Sequence, residues 1–91
     1  MEQASKAILI FLLNKRYIGG KHFPEDKLIV SRTKWLDKLQ KKTFEEEYRN
    51  LLNNQFIIKL KKRTGKGSEW HISLNPRKLG EIYELINNEK N

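Results

Sequence analysis

The stretch QFIIKLKKRTGKGSEWHISL, residues 55–74, decides the fold. Apolar and polar residues alternate on both sides of a glycine-containing segment, RTGKGS, at residues 63–68. Alternation with a period of two is typical of strands with one buried face, and glycine-rich breaks are typical of turns. The sequence therefore predicts a β-hairpin over residues 56–74. We expect Trp70 and the aliphatic side chains to face inward, with His71 and Ser73 on the outward face.

A first helix is predicted over residues 4–16. Its centre, AILIFLL at residues 7–13, is apolar on every side of a helical wheel, so the helix should be buried all round. A buried strand is the alternative, but the alanine, lysine and leucine residues of this segment favour a helix. Gly19 and Gly20 would end it, and residues 17–30 are left open between a helix starting near Pro24 and a loop leading to a strand at 28–30.

Two capped helices are predicted between residues 31 and 54. Ser31 is a suitable N-cap for a helix that runs to about Gln40. The sequence TFEE at residues 43–46 fits a capping box, with Thr43 as N-cap and Glu46 reaching back to its amide. The apolar faces that follow are Trp35, Leu36 and Leu39 in the first helix, and Phe44, Tyr48, Leu51 and Leu52 in the second.

The chain closes with a predicted helix over residues 76–88. Asn75 is its cap and Pro76 takes the first helical position. The stripe of apolar residues that follows has helical spacing and comprises Leu79, Ile82, Tyr83, Leu85 and Ile86. Ninety-one residues form at most one domain, so we expect a single domain over residues 1–91 that is α+β and mostly helical.

The net charge of +8 is concentrated in two separated blocks. Residues 31–42 carry five cations against one anion, and residues 55–75 carry five against one. A surplus of this density favours polyanionic partners, through counterion release and long-range attraction. Nucleic acid or an anionic membrane surface is the partner class to consider first.

Several other classes of protein are disfavoured. The chain has no cysteine, and its longest apolar run is seven residues, too short to span a bilayer. Lys15 and Arg16 follow that run where a signal peptide would have its cleavage site, so we expect a cytoplasmic, nucleoid-associated protein. His22 and His71 show no catalytic or metal-binding spacing, and we expect no enzyme activity, metal, cofactor, membrane contact or small-molecule ligand.

The order of elements resembles a winged helix-turn-helix domain, with a three-helix core, a two-stranded basic wing and a C-terminal helix. Residues 43–58, TFEEEYRNLLNNQFII, are similar to the recognition helix of such domains running into the first wing strand. Residues 70–86, WHISLNPRKLGEIYELI, are similar to the second wing strand and last helix of PadR- and MarR-type regulators. The resemblance covers residues 4–88 and places a helix-turn-helix at about 31–54. It departs from the pattern at Asn53 and Asn54, where a glycine is usual, although asparagine tolerates the left-handed conformation of a helix end.

The resemblance implies that the second capped helix reads the major groove of double-stranded DNA, while the wing contacts a neighbouring groove or the backbone. Arg49, Asn50 and Asn53 would read bases, because arginine pairs with guanine and asparagine with adenine. The residues expected to hold phosphates are Arg32, Lys34, Lys38, Lys41, Lys42, Lys59, Lys61, Arg63 and Lys66.

Three glutamates at the start of this helix oppose the DNA-binding interpretation. Glu46 has its predicted capping role, while Glu45 and Glu47 could pair with Lys41 or Lys42 or accept from cytosine. In a competing assignment, residues 24–30 form the first helix of the motif and residues 31–42 form the reading helix.

The expected function is that of a small transcriptional regulator. It would act as a homodimer joined through its terminal helices, since these helices expose more apolar surface than a 91-residue monomer covers. The alternatives are a plasmid-partition or architectural DNA-coating protein, and a winged-helix module that binds another protein.

Overall fold

The computed structural model describes residues 1–88 of the chain. Four α-helices, three strands and a short 3-10 turn follow one another in a mostly helical α+β arrangement, as the sequence predicts. Their bounds in chain order are α1 Gln3–Asn14, β1 Phe23–Pro24, α2 Glu25–Thr33, α3 Lys38–Asn53, β2 Ile57–Thr64, β3 Gly67–Leu74, the 3-10 turn Pro76–Lys78 and α4 Leu79–Asn87. Three helices, a hairpin and a last helix are the layout of a winged helix. No helix within residues 1–88 has the length and apolar character needed to cross a membrane.

The hairpin is confirmed, and its strands pair antiparallel from Ile57 opposite Leu74 to Thr64 opposite Gly67. A two-residue turn joins them, and Gly67 follows it at φ +136°, where a side chain would be strained. The short strand β1 pairs with the other edge of β3, so the sheet order is β1-β3-β2 and β3 is the central strand.

The prediction that His71 and Ser73 lie on an exposed face of β3 is wrong. His71 is only 5% exposed and Ser73 is fully buried, because the segment before α2 covers the face that the alternation assigned to solvent. The Ser73 hydroxyl donates to the Gly19 carbonyl at 3.0 Å, and the His71 ring contacts His22. Trp70, predicted to face inward, is 46% exposed because it lies where the hairpin leaves the core.

Helix α1 is the centre of the core. It packs against α2, α3, α4 and β3. The fully buried aliphatic side chains come from α1, α2, the sheet and the last helix, and are Ile8, Leu9, Leu12, Leu28, Ile57, Ile72, Leu74 and Ile82. The prediction that α1 is buried on every side is wrong for Ile10 and Leu13, which stay half-buried on its outward side.

The predicted helix over residues 31–40 is wrong. Helix α2 begins at Glu25, directly after Pro24, and ends at Thr33. The first helix of the competing assignment is therefore present and runs on past residue 30, whereas its reading helix over residues 31–42 is wrong, because α3 covers Lys38–Asn53. Ser31 therefore lies in the last turn of α2, where its hydroxyl donates to the Leu28 carbonyl at 2.8 Å instead of capping a helix. Proline followed by two acids is a favourable helix start, and it prevails over the later N-cap candidate.

Helix α3 begins at Lys38 and not at Thr43. Asp37 is its N-cap and forms a capping box with Gln40, through bonds of 2.8 and 3.0 Å. Thr43 and Glu46 consequently lie inside the helix and have no capping role. The helix starts at the earlier box because no glycine or proline separates it from the later one. One result is that Trp35 and Leu39, predicted to be buried on a helix face, are 80% and 74% exposed.

The ends of the last two helices agree with the sequence in part. The residue with a positive φ after α3 is Gln55, at φ 63°, rather than either asparagine of the predicted break. The prediction for Asn75 is confirmed, since its side chain accepts from the Arg77 amide and Pro76 follows it at the start of the 3-10 turn.

Candidate nucleic-acid interface

A buried polar network joins α2, α3 and β2 and fixes the geometry of the candidate site. Glu25, at the first position of α2, accepts from the Tyr48 hydroxyl at 2.7 Å. The other oxygen of the same carboxylate lies 3.2 Å from Lys59 Nζ on β2. The Glu25 side chain is only 7% exposed, and the start of a helix is a favourable place for its charge. The network therefore sets where the wing lies relative to α3.

This environment changes the pKa of the Tyr48 phenol. Burial raises the pKa of its phenol far above the ordinary value, and the hydrogen bond to Glu25 raises it further. Both causes oppose a negative charge beside a carboxylate. At neutral pH Tyr48 is therefore protonated and donates its hydrogen bond to Glu25.

A surface groove lies beside this network, between α2, α3 and β2. We call it the α2–α3 groove. It has a volume of about 550 Å³ and is lined by Ile29, Thr33, Lys41, Phe44, Glu45, Tyr48, Arg49, Leu52 and Lys59. Lys41, Glu45 and Arg49 follow one another at four-residue spacing, so they share one flank of α3. Three of the four charged groups that line the groove are cations.

The three predicted base-reading residues are all exposed but do not share a face. Arg49 lines the α2–α3 groove, and Asn53, one turn further along α3, lies about 40° around the helix from it. Asn50 lies about 100° from Arg49 in the same direction, beyond Asn53, and lines a separate hollow with Met1 and Leu85. Arg49 and Asn53 are thus brought together, and Asn50 is not.

The glutamates that opposed the DNA-binding interpretation are differently placed from one another. Glu47 accepts from the Glu2 amide and from the Ser5 hydroxyl, each at 2.8 Å, at the start of α1. It therefore faces α1 instead of the outer side of α3. Glu45 and Glu46 are exposed, and within residues 1–88 neither forms an ion pair with Lys41 or Lys42. The outer side of α3 keeps two acids.

Most of the predicted phosphate-binding residues are exposed in two groups. The first group surrounds the start of α3 and consists of Lys34, Lys38, Lys41 and Lys42. The second follows the hairpin and consists of Lys61, Arg63 and Lys66.

Two further candidates are engaged within the protein. Arg32 lies over the Phe11 ring, 5.2 Å from its centre, and donates to the Ser31 hydroxyl at 3.0 Å. Lys59 is held by Glu25 in the buried network, with its side chain 35% exposed.

One face of the hairpin extends the interface beyond the groove. Lys59, Lys61 and Arg63 alternate along β2, and Trp70 lies directly opposite Lys61. Because residues two apart on a strand share a face, these four residues form one surface, which we call the wing face. Lys59 lines both the α2–α3 groove and the wing face, so the two surfaces are continuous.

A second polar cluster lies on the opposite face of the sheet. His71 Nε2 is 2.8 Å from a Glu69 oxygen, and the Nδ1 atoms of His71 and His22 are 2.8 Å apart. When His71 is neutral, a proton on Nε2 lets it donate to the Glu69 carboxylate, and its Nδ1 then accepts from His22. Partial burial beside His71 and Lys62 lowers the pKa of His22 below its ordinary value of 6.5.

Glu25, Tyr48 and Trp70 are parts of the site that the sequence did not reveal. Glu25 was placed at a possible helix start and Tyr48 in an apolar face, and nothing in the pattern links residues 23 positions apart. Trp70 could have been found, because it is an aromatic residue inside a strongly basic hairpin, a composition typical of nucleic-acid contact.

Across residues 1–88, no three histidine, aspartate or glutamate side chains are grouped as they would be to hold an ion. The geometry therefore consists of a basic groove, a basic hairpin face and one exposed aromatic ring. Comparison with protein-family models, with curated proteins and with solved structures gave no match, so the interpretation of this surface depends on its own residues.

Proposed function

We propose that the protein binds double-stranded DNA through the α2–α3 groove and the wing face. The observation that carries this proposal is the position of Lys59, which joins the two basic surfaces into one. Helix α3 would enter the major groove, and the hairpin would follow the backbone towards the adjacent minor groove. The wing and α3 would then contact the duplex together, held at a fixed separation by Glu25 and Tyr48.

The residues divide into two roles. Lys38, Lys41, Lys61, Arg63 and Lys66 would hold phosphates, which determines affinity and register rather than sequence. Arg49 and Asn53 would reach base edges, because they project from the same side of α3 as the groove. Asn50 would not read bases in the same complex, since it faces the hollow near Met1.

The biological role we favour is that of a small transcriptional regulator acting as a homodimer. Helices α1 and α4 leave Ile10, Leu13, Tyr83 and Ile86 around a surface hollow of about 360 Å³. Apolar side chains on two neighbouring helices suit a two-fold contact, which would place two α3 helices against one duplex. The small number of base-reading residues also suits an architectural or plasmid-partition protein that coats DNA, so sequence preference has to be measured.

A second candidate function is docking of another protein. Val30, Trp35 and Leu39, on α2, in the α2–α3 turn and at the start of α3, are each more than 60% exposed. Large exposed apolar side chains often mark protein contacts. In that case the basic wing would not be the binding surface.

The test is the salt dependence of binding to labelled duplex DNA, measured by fluorescence anisotropy. We expect binding that weakens steeply as salt rises. The double substitution R63A/K66A should flatten the slope by about 0.9 for each phosphate that the variant no longer neutralises. The control is K15A/R77A, which removes the same charge at the other end of the hairpin and should leave the slope near that of the parent.

Two outcomes decide between the candidates. An unchanged slope in R63A/K66A excludes those phosphate contacts. An absence of duplex binding at physiological salt rejects the proposal and directs attention to Trp35 and Leu39 as a protein-binding surface. Comparing a random duplex with one from the DNA upstream of the protein's own coding sequence separates a coating protein from a specific regulator.

A further inference from the structure

Trp70 is a large aromatic side chain that stays about half exposed. On the same face of β3 the next residues towards the base of the hairpin, Ile72 and Leu74, are completely buried, whereas Trp70 is 46% exposed. The ring lies where the hairpin leaves the core, directly opposite Lys61. An aromatic side chain of this size buries much more of its surface when it serves only as a core residue.

The ring is held in place by the buried network. Lys59 Nζ lies 5.0 Å from the centre of the Trp70 ring, and the same nitrogen pairs with Glu25. Lys61 Nζ lies 5.6 Å from the ring centre on the next position of the face. Exposed cation–π contacts are weak, so the Lys61 ammonium can leave the ring for a phosphate at little cost. The Trp70 ring is therefore in position before nucleic acid binds, and Lys61 beside it remains available to contact a phosphate.

The charge of this face is of one sign. Beyond the core it presents Lys59, Lys61 and Arg63 from β2 and Ser68 and Trp70 from β3. Glu69, the acid of this hairpin, projects to the opposite face, where it bonds to His71. A polyanionic chain that follows the wing face thus meets Lys61, Arg63 and one aromatic ring, while the nearby carboxylate of Glu25 is buried against Lys59.

We infer that Trp70, on the wing face, is a stacking site for an unpaired nucleotide. An aromatic ring beside cations on an extended strand is the arrangement on which bases of single-stranded nucleic acids stack. In an intact duplex the faces of the bases are covered by their neighbours, so the ring can take only a base in an overhang, a gap or a melted step. The inference rests on the proposed function and adds a preference for DNA that has an unpaired segment next to a duplex.

The experiment uses W35F, which leaves Trp70 as the only tryptophan of the chain. Two DNAs are compared by anisotropy: a blunt duplex, and the same duplex with a single-stranded thymine overhang. We expect the overhang to be bound about tenfold more tightly, a difference of about 1.4 kcal/mol, and to quench Trp70 fluorescence. The blunt duplex should quench it much less.

Two substitutions at Trp70 in the W35F chain separate stacking from folding. W70F keeps an aromatic ring and should retain most of the preference, whereas W70L keeps apolar volume and should bind the two DNAs with similar affinity. Circular dichroism and thermal unfolding check that both variants fold.

The remaining outcomes distinguish the two proposals. Equal affinity for both DNAs, or a W70L variant that weakens both equally, overturns the stacking site while duplex binding stands. The single-stranded thymine segment is also tested alone, as a third DNA. If it binds in a way that depends on Trp70 and the blunt duplex does not bind, the stacking site is supported and the proposed function is rejected. An absence of binding to all three DNAs rejects both.

Discussion

At the residue scale, the molecule depends on one carboxylate that its sequence does not single out. Glu25 connects α2 to Tyr48 of α3 and to Lys59 of the wing. A buried carboxylate is stable only when its partners are present, and each partner is left unsatisfied when it is removed. Glu25 therefore links the stability of the fold to the position of the wing.

We expect E25A to lower the free energy of unfolding by about 1–3 kcal/mol, because it leaves the Tyr48 hydroxyl without a partner in a buried place. The lower part of this range allows for the solvent that already reaches Lys59. Urea denaturation measures the change. D26A, which removes the exposed acid next to Glu25 in the same helical turn, is the control, and equal stability of the two variants would contradict the role of Glu25.

A second residue-scale prediction concerns alkaline pH. Because the pKa of Tyr48 is raised in the folded state, its neutral form stabilises the fold at and below the ordinary tyrosine pKa of about 10, and this stability is lost as pH rises beyond it. Tyr48 should ionise only together with alkaline unfolding, as followed by tyrosinate absorbance and circular dichroism. Y48F should show a smaller loss of stability between neutral and alkaline pH.

A third residue-scale prediction concerns His22. Its lowered pKa means that the folded chain takes up a proton less readily than the unfolded chain. The contribution to stability is therefore complete above pH 6.5 and declines as pH falls below that value. Proton NMR should show His22 titrating below its ordinary range, and H71A should move the titration part of the way back, since partial burial remains. A titration of His22 that is identical in both proteins would show that His71 has no influence on it.

At the element scale, the start of α3 shows what a sequence pattern can and cannot decide. Asp37 to Gln40 and Thr43 to Glu46 both fit a capping box, and the residues between them are good helix formers. The absence of a helix breaker between the two boxes could have indicated one long helix. The boundary predicted at Thr43 followed from the capping-box pattern at residues 43–46, which the structure does not use.

The two boxes give opposite expectations for alanine substitutions. D37A should destabilise the protein by about 1 kcal/mol, because it removes the N-cap of α3. T43A should be neutral or slightly stabilising, since alanine has a higher helix propensity than threonine inside a helix. Thermal unfolding of the two variants tests the assignment, and the reverse order would place the helix start at Thr43.

Other elements were predictable for clear physical reasons. The hairpin, α1, α4 and the Asn75 cap follow from periodicity and from turn and cap residues that are close in sequence. The burial of His71 and Ser73 was not predictable, because it depends on pairing with β1, about 50 positions earlier in the chain. The same holds for the Glu25 network, which depends on how distant segments pack.

At the scale of the whole molecule, the apolar surface of α1 and α4 bears on the assembly we propose. Tyr83 is about half exposed, and Ile10, Leu13 and Ile86 line the same hollow. We expect a homodimer at micromolar concentration, and Y83K should dissociate it, since a lysine in the middle of an apolar contact is costly to desolvate. Sedimentation velocity measures both states.

The control for this substitution is V30K, which places the same charge on an exposed apolar residue of α2 away from the hollow. It should leave the dimer intact. A stable monomer of 10.9 kDa in the unmodified chain would contradict the dimer and remove the basis for two α3 helices on one duplex.

The sheet also has a mechanical consequence. Residues 71–74 of β3 are buried, and β1 and β2 are paired to its two edges, whereas residues 62–69 are exposed and pair only within the hairpin's own ladder. The hairpin is therefore anchored in the core at its base and free at its tip, with Trp70 at the boundary between the two parts. We expect the free tip to bend along the surface of a bound partner, while the packing of the buried base stays unchanged.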